Sequence, residues 1–351
     1  MHPLPYDALL VVSFGGPEGP EDVIPFLENV LRGRNVPRER MLEVAEHYQH
    51  FGGRSPINEQ NLALIDALRE EFLAAGWQLP IYFGNRNWHP LLTDAIAQMA
   101  RDGVRRALAY FTSQFSCYSG CRQYRENIEA ARAAVGPNAP IIEKLRFAFN
   151  HPGYIEPLGA GLRSALEQIP LSERESTPVL FTAHSIPLEM AATARYEAQL
   201  QEASRLVAEQ AGHSRWELVY QSRSGPPQQP WLEPDVGDRT RMLHREQGIQ
   251  HLVVLPIGFV SDHMEVLYDL DTELAQICDE LGIHLVRAPT VGVHPHYVRM
   301  IRELIEERCT PGANRLALGS LGPSHDVCPE RCCWYEPRRP ARTAPPSDGT
   351  A

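Results

Sequence analysis

An alternation of strand-like and helix-like segments, present in both halves of the chain, restricts the possible folds more than any other feature. In the first half, apolar runs alternate with segments in which apolar residues recur every three to four positions. These patterns predict strands at residues 8–14, 80–84 and 105–112, and helices at 58–75, 91–101 and 122–134. Strands connected by helices in this way form parallel sheets that are covered on both faces. Residues 1–150 are therefore predicted to form one α/β lobe.

The same alternation restarts after residue 150 and predicts a second α/β lobe at residues 151–310. Its predicted strands are 178–183, 218–221, 251–257 and 284–288, and its predicted helices include 155–168, 188–211, 236–246 and 297–307. The predicted fold class is α/β, with two Rossmann-like parallel-sheet lobes. Residues 311–351 are predicted to form a cysteine-containing tail, whose Pro- and Arg-rich end is disordered.

The composition argues against several classes of partner. The 351 residues carry a formal net charge of −11 and no basic stripe interleaved with aromatics, so we expect no nucleic-acid partner. No run of 18 apolar residues exists, so we expect no integral membrane segment. The first residues lack the charged region of a secretory signal, and we expect a cytoplasmic protein. In that compartment its seven cysteines are more often metal ligands, catalytic groups or buried thiols than disulfides.

Three carboxylates follow the predicted strand 251–257. Glu265, Asp269 and Glu273 recur at i, i+4 and i+8, which places them on one slowly drifting face of a helix. The row is either an ordinary solvated face or a path of oxygen ligands for a divalent cation or for protons. Ligands of α/β proteins bind at the carboxyl ends of strands, which is where this row begins.

A histidine occupies a similar position at the end of another predicted strand. His184 lies in the segment FTAHSIP, directly after the strand 178–183. A single histidine in such a place is either a hydrogen-bonded structural residue or a group that accepts protons or binds a metal. The sheet should bring it close to Glu265, whose charge would then influence its pKa.

Three loop-like segments combine turn residues with hydrogen-bond donors and aromatic rings. The candidate contacts are Arg54 and Ser55 in FGGRSPIN, Arg86 and Asn87 in GNRNWHP, and Trp231 in QSRSGPPQQPWLEPD. Arginine and amide donors suit carboxylates, and aromatic rings suit a flat apolar body. Taken singly, each segment is equally well explained as a loop. Taken together, they favour a large, planar, carboxylated ligand.

These segments occur in the order found in a known enzyme family. The segments are SFGGP, FGGRSPIN, YSGCRQYRE, FTAHSIP, YQSRSGPPQQPWLEPD and PIGFVSDHMEVLYDLD. Over roughly residues 5–310, the chain resembles the ferrochelatases. The resemblance implies a chelatase-like fold with a porphyrin cleft between two lobes. It also implies a lyase of haem biosynthesis that inserts Fe(II) into a porphyrin and releases two protons.

The resemblance assigns roles to the residues that match the family's motifs. His184 and Glu265 match a catalytic pair that binds the metal or accepts the pyrrole protons, and Asp269 and Glu273 match an acidic ridge for the metal. The implied substrate contacts are Phe14, Arg54, Ser55, Arg86, Asn87, Tyr124 and Trp231. Many bacterial relatives carry tyrosine at the position of Phe14, and a phenylalanine ring cannot hold a metal axially.

The choice of substrate also follows from the resemblance. SFGGPEGP, FGNRNW and the cysteine-rich tail look most like the actinobacterial-type enzymes, which use coproporphyrin III. Coproporphyrin III and ferrous iron are therefore the expected substrates. The alternatives are a protoporphyrin IX ferrochelatase, a chelatase for another metal or tetrapyrrole, and a non-catalytic porphyrin or haem carrier. A periplasmic solute receptor is disfavoured because no signal peptide is visible.

The actinobacterial-type relatives also tend to carry a [2Fe–2S] cluster, which requires four thiolates. The tail offers Cys328, Cys332 and Cys333 within six residues. The resemblance favours Cys121, in the context YSGC, as the fourth ligand, with Cys117 as the alternative because animal relatives place their ligand nearer to it. A tail of reduced thiols or a zinc site is the competing interpretation.

Overall fold

Two four-stranded parallel sheets form the centre of the protein. The computed structural model describes residues 4–32, 36–225 and 228–336. Within these residues the strands are β1 (Ala8–Ser13), β2 (Ile81–Asn85), β3 (Arg106–Phe111), β4 (Ile141–Lys144), β5 (Val179–His184), β6 (Trp216–Gln221), β7 (His251–Leu255) and β8 (His284–Arg287). The strand orders are β2-β1-β3-β4 and β6-β5-β7-β8. The predicted fold class is confirmed.

Helices cover both sheets. They are α1 (Val23–Val30), α2 (Arg38–His50), α3 (Ile57–Ala74), α4 (Leu92–Arg101), α5 (Gln123–Val135), α6 (Pro152–Leu166), α7 (Leu188–Ala191), α8 (Tyr196–Ala211), α9 (Val236–Gln247), α10 (Met264–Tyr268), α11 (Ala275–Leu281) and α12 (Pro295–Cys309). Two π-helical turns precede α5 and α11, at Tyr118–Arg122 and Asp269–Leu274. Among the described residues, no helix is both long enough and apolar enough to cross a bilayer.

Two helix predictions are wrong in detail. The single helix predicted at residues 188–211 is divided into α7 and α8, because the chain turns after Ala191. There the Thr193 hydroxyl donates a hydrogen bond to the Met190 carbonyl at 3.0 Å and competes with helical pairing. The acidic segment is not one regular α-helix, since the π turn lies between α10 and α11.

The central strands explain why the chain adopts this architecture. All six residues of β1 are buried, because β1 lies between β2 and β3 with helices on both faces. A strand covered in this way reads as a continuous apolar run rather than an alternating one. In the second sheet β5 occupies the equivalent position between β6 and β7. The carboxyl ends of the central strands therefore point to one edge of each sheet.

The two sheets share one hydrophobic core. The largest buried cluster contains residues of β1 and β3 together with residues of β5, β7 and α12. The helix α12 packs against both α3 and α6, and Arg302 pairs with Glu71 of α3 at 2.8 Å. The proposed boundary between the lobes, at residue 150, lies between β4 and α6.

The tail is docked on the first lobe. The buried Arg146 side chain pairs with Glu307 at 2.8 Å and also donates to the Leu316 carbonyl at 2.8 Å. Further along, Lys144 donates to the His325 carbonyl at 3.0 Å. No helix or strand occurs in residues 310–336, so side-chain contacts of this kind hold the tail. The segment predicted to be disordered lies, from residue 337 onward, outside the described residues.

Candidate active site

The two strand-end residues of the predicted catalytic pair face one another. His184 is the last residue of β5 and lies beside Gln221 in the register of the sheet. Glu265 lies in the first turn of α10, which follows β7 on the other side of β5. The distance between His184 Nε2 and Glu265 Oε1 is 3.9 Å. The side chains remain 34% and 41% exposed, so both atoms are accessible to a ligand.

One hydrogen bond defines the chemical form of His184. Its Nδ1 atom bonds to the carbonyl oxygen of Ser185, which can only accept. Nδ1 therefore carries a proton, and the tautomer that this bond selects has its lone pair on Nε2. That lone pair lies on the side of Glu265, where it can take a proton or bind a metal. The pair thus combines a nitrogen base with a carboxylate oxygen.

Asp269 extends the site one helical turn further. Gln221 Nε2 donates to Asp269 Oδ2 at 3.1 Å, and the Ser222 hydroxyl donates to the same oxygen. Gln221 Nε2 also lies 3.3 Å from the main-chain oxygen of Glu265, so one amide connects both acidic residues to β6. Burial raises the pKa of Asp269 to about 7 against the bond from Ser222, and the charge of Glu265 adds to the increase.

The π turn alters the geometry of the acidic row. Glu265 precedes the turn, Asp269 begins it, and Glu273 lies within it at an exposed position. A π turn contains more residues per turn than an α turn. Two residues four positions apart are therefore displaced around the helix axis in the direction opposite to that of an i, i+4 pair in an α-helix. The solvated-face interpretation fits Glu273 but not Asp269, which is half-buried and hydrogen-bonded. Burial and the charge of Asp235 raise the pKa of Glu273, against the opposing charge of Arg40.

Replacement of Asp269 by asparagine is expected to stabilise the fold at pH 8. A carboxyl with a pKa near 7 in the folded state and 3.8 in the unfolded state favours folding only while it is protonated. This contribution is lost as the pH rises from about 4 to about 7. The neutral Asp269→Asn side chain avoids the loss, and we expect a gain of about 2–4 kcal/mol at pH 8 and a smaller one at pH 5.

Urea unfolding at the two pH values measures this difference. The matched control is Asp279→Asn, on the exposed face of α11. A pH dependence of stability that is the same in Asp269→Asn as in the control would show that Asp269 is not held in a protonated state.

Arg86 is the most firmly positioned of the predicted substrate contacts. Its guanidinium lies 4.4 Å from the ring centroid of Tyr124 and 5.7 Å from that of Phe14. Nε donates to Asn127 Oδ1 at 2.7 Å and Nη1 to the Ser119 carbonyl at 3.4 Å. Tyr124 is buried beneath the guanidinium, so it supports Arg86 and offers little open surface to a ligand.

The other predicted contacts differ in how open they are. Arg54 is exposed and paired with Glu18 and Glu59, at 3.4 and 3.3 Å. Ser55 is buried, and the Asn87 amide donates to the Phe14 carbonyl at 3.1 Å. Trp231 is buried too, with no hydrogen-bond partner for its Nε1 atom among the described residues.

Glu265 lies within electrostatic reach of both lobes. Burial raises the pKa of Tyr124 in the first lobe and of Tyr196 in the second, and the charge of Glu265 adds to the increase in both. Sequence reasoning missed Gln221 and Ser222, which bond to Asp269, and Gln60, which bonds to the main chain of Asp262. The sequence contained a signal for Ser222, because this residue directly follows a predicted strand. In the structure Ser222 takes a left-handed backbone conformation with φ of 60°. Such conformations concentrate at functional sites.

A group of four thiols forms a second centre. Cys121 contacts Cys328 and Cys333, and Cys332 Sγ lies 3.8 Å from Cys333 Sγ. The Cys328 thiol raises the pKa of Cys121 to about 12, whereas bonds from Cys121 and Cys332 lower the pKa of Cys328. Cys117 points elsewhere, because its Sγ atom accepts from the Gly120 amide at 3.1 Å. The four thiols that the structure brings together are those of the predicted set with Cys121.

A histidine that sequence reasoning missed adjoins this group. His325 Nε2 lies 3.4 Å from Cys332 Sγ. The donor atoms of His325, Cys328 and Cys332 all lie within 4.8 Å of one another. Thiolate and imidazole donors suit zinc or an iron–sulfur cluster. The remaining cysteines lie apart, with Cys278 buried in the second lobe and Cys309 at the end of α12.

Comparison with known proteins identifies the family. The family profile described as Ferrochelatase matches residues 6–309. The chain belongs to the ferrochelatase family. A ferrochelatase of Rhodopirellula baltica is 61% identical, with 96% of this chain and 95% of the relative covered. A coproporphyrin III ferrochelatase of Streptomyces griseus is 48% identical, with 97% and 96% covered. A coproporphyrin III ferrochelatase of Frankia alni is 52% identical, with 93% and 86% covered.

Solved structures agree with this fold. SirB from Bacillus subtilis with Fe³⁺ has a TM-score of 0.54 and 11% identity, and 86% of this ferrochelatase and 96% of SirB are covered. The sirohydrochlorin chelatase SirB in complex with cobalt has a TM-score of 0.50. These likenesses extend to the fold alone. Family membership makes this protein an enzyme of haem biosynthesis whose substrates are a porphyrin and ferrous iron.

Proposed function

We propose that this ferrochelatase inserts Fe(II) into coproporphyrin III and that His184 and Glu265 carry out the chemistry. The main observation in support of this proposal is the 3.9 Å distance between His184 Nε2 and Glu265 Oε1, at the ends of neighbouring strands. In the reaction Fe²⁺ replaces two pyrrole protons, so two protons must leave for each iron inserted. The Nε2 lone pair of His184 accepts the two protons in turn and releases each one towards the acidic row. The facing carboxylate stabilises the imidazolium that forms each time.

The acidic row provides the exit for these protons or the entrance for the metal. Asp269, with a pKa of about 7, can bind and release protons near neutrality. It lies between Glu265 at the catalytic pair and the exposed Glu273. An approaching Fe²⁺ ion favours the ionised form of each carboxylate and so drives protons from the row. Metal and protons are therefore expected to move along the same row in opposite directions.

The preference for coproporphyrin III is supported by the relatives and by the available donors. Relatives from Streptomyces griseus and Frankia alni bear that substrate in their names. Coproporphyrin III has four carboxylates and protoporphyrin IX has two. Arg54 is exposed at one donor segment, and Arg86 is held by two aromatic rings at another. Guanidinium groups bind carboxylates by charge-assisted hydrogen bonds, so additional carboxylates increase binding.

We expect a higher kcat/KM for coproporphyrin III than for protoporphyrin IX. Anaerobic Fe(II) insertion assays with the two porphyrins side by side measure the ratio. Arg86→Gln should reduce the ratio by raising KM for coproporphyrin III, whereas Arg101→Gln, at the end of α4 away from the donor segments, should leave it unchanged. Equal or better kcat/KM with protoporphyrin IX would contradict this assignment. Porphyrin binding without metallation or proton release would instead indicate a carrier.

We further propose a [2Fe–2S] cluster held by Cys121, Cys328, Cys332 and Cys333. The mutual contacts of the four thiols support this ligand set, and the different orientation of Cys117 argues against the alternative. A cluster bound there would add metal–thiolate bonds between the tail and the first lobe. The energy of metal binding would then also be local folding energy.

The surroundings of the thiols fit an anionic group. Lys144 and Arg125 both act to lower the pKa of Cys328 and so favour its thiolate form. Arg122 donates to the main-chain oxygens of Glu330 and Cys332, at 2.7 and 3.2 Å, and holds this part of the tail in place. All seven cysteines are free, which suits the reducing cytoplasm that we propose as the location.

A further inference from the structure

We infer that Arg287 is a positioning residue that holds the π turn in the register needed to align the acidic row. The guanidinium of Arg287, at the end of β8, pairs with two aspartates at once. Nη1 lies 3.0 Å from Asp262 Oδ1, and Nε lies 2.5 Å from Asp271 Oδ1. Asp262 precedes Glu265 by three residues and Asp271 follows Asp269 by two. One side chain therefore connects both ends of the segment that carries the two acidic residues.

The start of this segment is fixed by a second contact from the other lobe. Gln60 of α3 donates to the Asp262 carbonyl at 2.8 Å and accepts from the Asp262 amide at 2.9 Å. The main chain of Asp262 is thus a fixed point between the lobes, and its side chain remains available for Arg287. Through Asp262 and Arg287, the position of Asp271 is defined relative to the first lobe as well as to β8.

A π turn requires such support because it is a rare conformation. An α-helical turn in its place would shift the hydrogen bonding by one residue. It would rotate the side chains at the start of the turn by about 100° relative to those of α11, which packs against α9 and β8. Asp269, at the start of the turn, would then lose its bonds from Gln221 and Ser222. The Arg287 side chain is only 20% exposed, and its planar fork matches the two carboxylates. The two ion pairs oppose that change of register.

The inference rests on the proposed roles of Glu265 and Asp269, and it predicts a selective effect on iron. Arg287→Gln should lower kcat/KM for Fe(II) by about 10- to 100-fold, the scale expected for a displacement of about 1 Å. Porphyrin affinity should change less than about 2-fold. Arg287 borders a surface pocket with Asp271, Asp279 and His284, and none of these residues is among the proposed porphyrin contacts. Arg287→Lys should recover part of the loss, since it keeps the charge but not the fork.

The experiment compares Arg287→Gln, Arg287→Lys, Asp271→Asn and the double variant Asp271→Asn/Arg287→Gln. Steady-state assays give KM and kcat for Fe(II), and quenching of porphyrin fluorescence gives the porphyrin Kd. If Arg287 acts through Asp271, Asp271→Asn reproduces much of the loss and the double variant adds little to Arg287→Gln. A fully additive double variant would overturn the inference.

The matched control is Arg239→Gln in the same lobe. Arg239 pairs bidentately with Glu217, at 2.6 and 2.7 Å, and its side chain is 17% exposed. Its loss removes a comparable ion pair whose partner, Glu217, lies on β6 and not in the π turn, so kinetics should stay near wild type. Equal kinetic losses in Arg239→Gln and Arg287→Gln would overturn the inference. Wild-type iron kinetics in a folded Arg287→Gln enzyme, with His184 and Glu265 variants inactive, would refute this inference while leaving the proposed function intact.

Discussion

Turnover of the His184→Ala enzyme is expected to fall by about 100-fold or more, the usual effect of losing a positioned acid–base group. The variant removes the Nε2 lone pair that faces Glu265, so the pyrrole protons lose their acceptor. Glu265→Gln should cause a loss of similar size, because an amide neither stabilises the imidazolium nor binds Fe²⁺ as a carboxylate does. Anaerobic insertion of Fe(II) at saturating porphyrin measures both effects on kcat.

The control separates lost chemistry from lost structure. His284→Ala removes an exposed histidine at the amino end of β8, away from the strand ends that carry the site, and should leave kcat unchanged. Porphyrin Kd should be retained in His184→Ala, since apolar contact with the macrocycle supplies most of the binding energy. A folded His184→Ala or Glu265→Gln enzyme with near wild-type turnover would contradict the proposed roles.

The fold and the proximity of His184 to Glu265 were predictable because their signals are local. Buried parallel strands appear in the sequence as continuous apolar runs, and β1, β3, β5 and β7 were all predicted within two residues of their observed ends. Once the strands are known, the sheet itself brings their carboxyl ends together. This geometry places His184 and Glu265 side by side without any further information from the sequence.

The elements that were missed have weak local signals. The strand β4 has the sequence IIEK and lies at the edge of its sheet, where none of its residues is fully buried. The helix α2 buries only Met41 and Ala45, so its apolar stripe is faint. The π turn depends on contacts of Arg287 with residues 16 and 25 positions away. Gln60 and Asp262 are 202 positions apart, and such pairs cannot be read from periodicity.

The cysteines show the same division between local and distant information. Spacing alone selected Cys328, Cys332 and Cys333, because they fall within six residues of a tail with few core-forming residues. Spacing could not choose between Cys117 and Cys121, which are four positions apart. In the structure a π turn, Tyr118–Arg122, begins after Cys117 and directs the two thiols to different clusters of side chains.

Cys121→Ser is expected to abolish the visible absorbance of anaerobically purified protein, whereas Cys117→Ser should keep it. The Cys121 thiol contacts two of the tail thiols, and a serine hydroxyl is a poor substitute for a thiolate ligand. The Cys117 thiol is occupied by the Gly120 amide and the Ser119 hydroxyl, at 3.1 and 3.3 Å, so its loss should not disturb a cluster. Absorption spectra with iron and acid-labile sulfide analysis measure the outcome.

The wild-type protein should contain about two irons and two sulfides per chain, as a [2Fe–2S] cluster requires. The reverse pattern, with colour lost in Cys117→Ser and kept in Cys121→Ser, would transfer the fourth ligand position to Cys117. Colourless wild-type protein with one zinc per chain would exclude the cluster and favour a structural zinc site. In that case His325, whose Nε2 atom lies 3.4 Å from Cys332 Sγ, would be the first additional ligand to test, because zinc accepts imidazole as readily as thiolate.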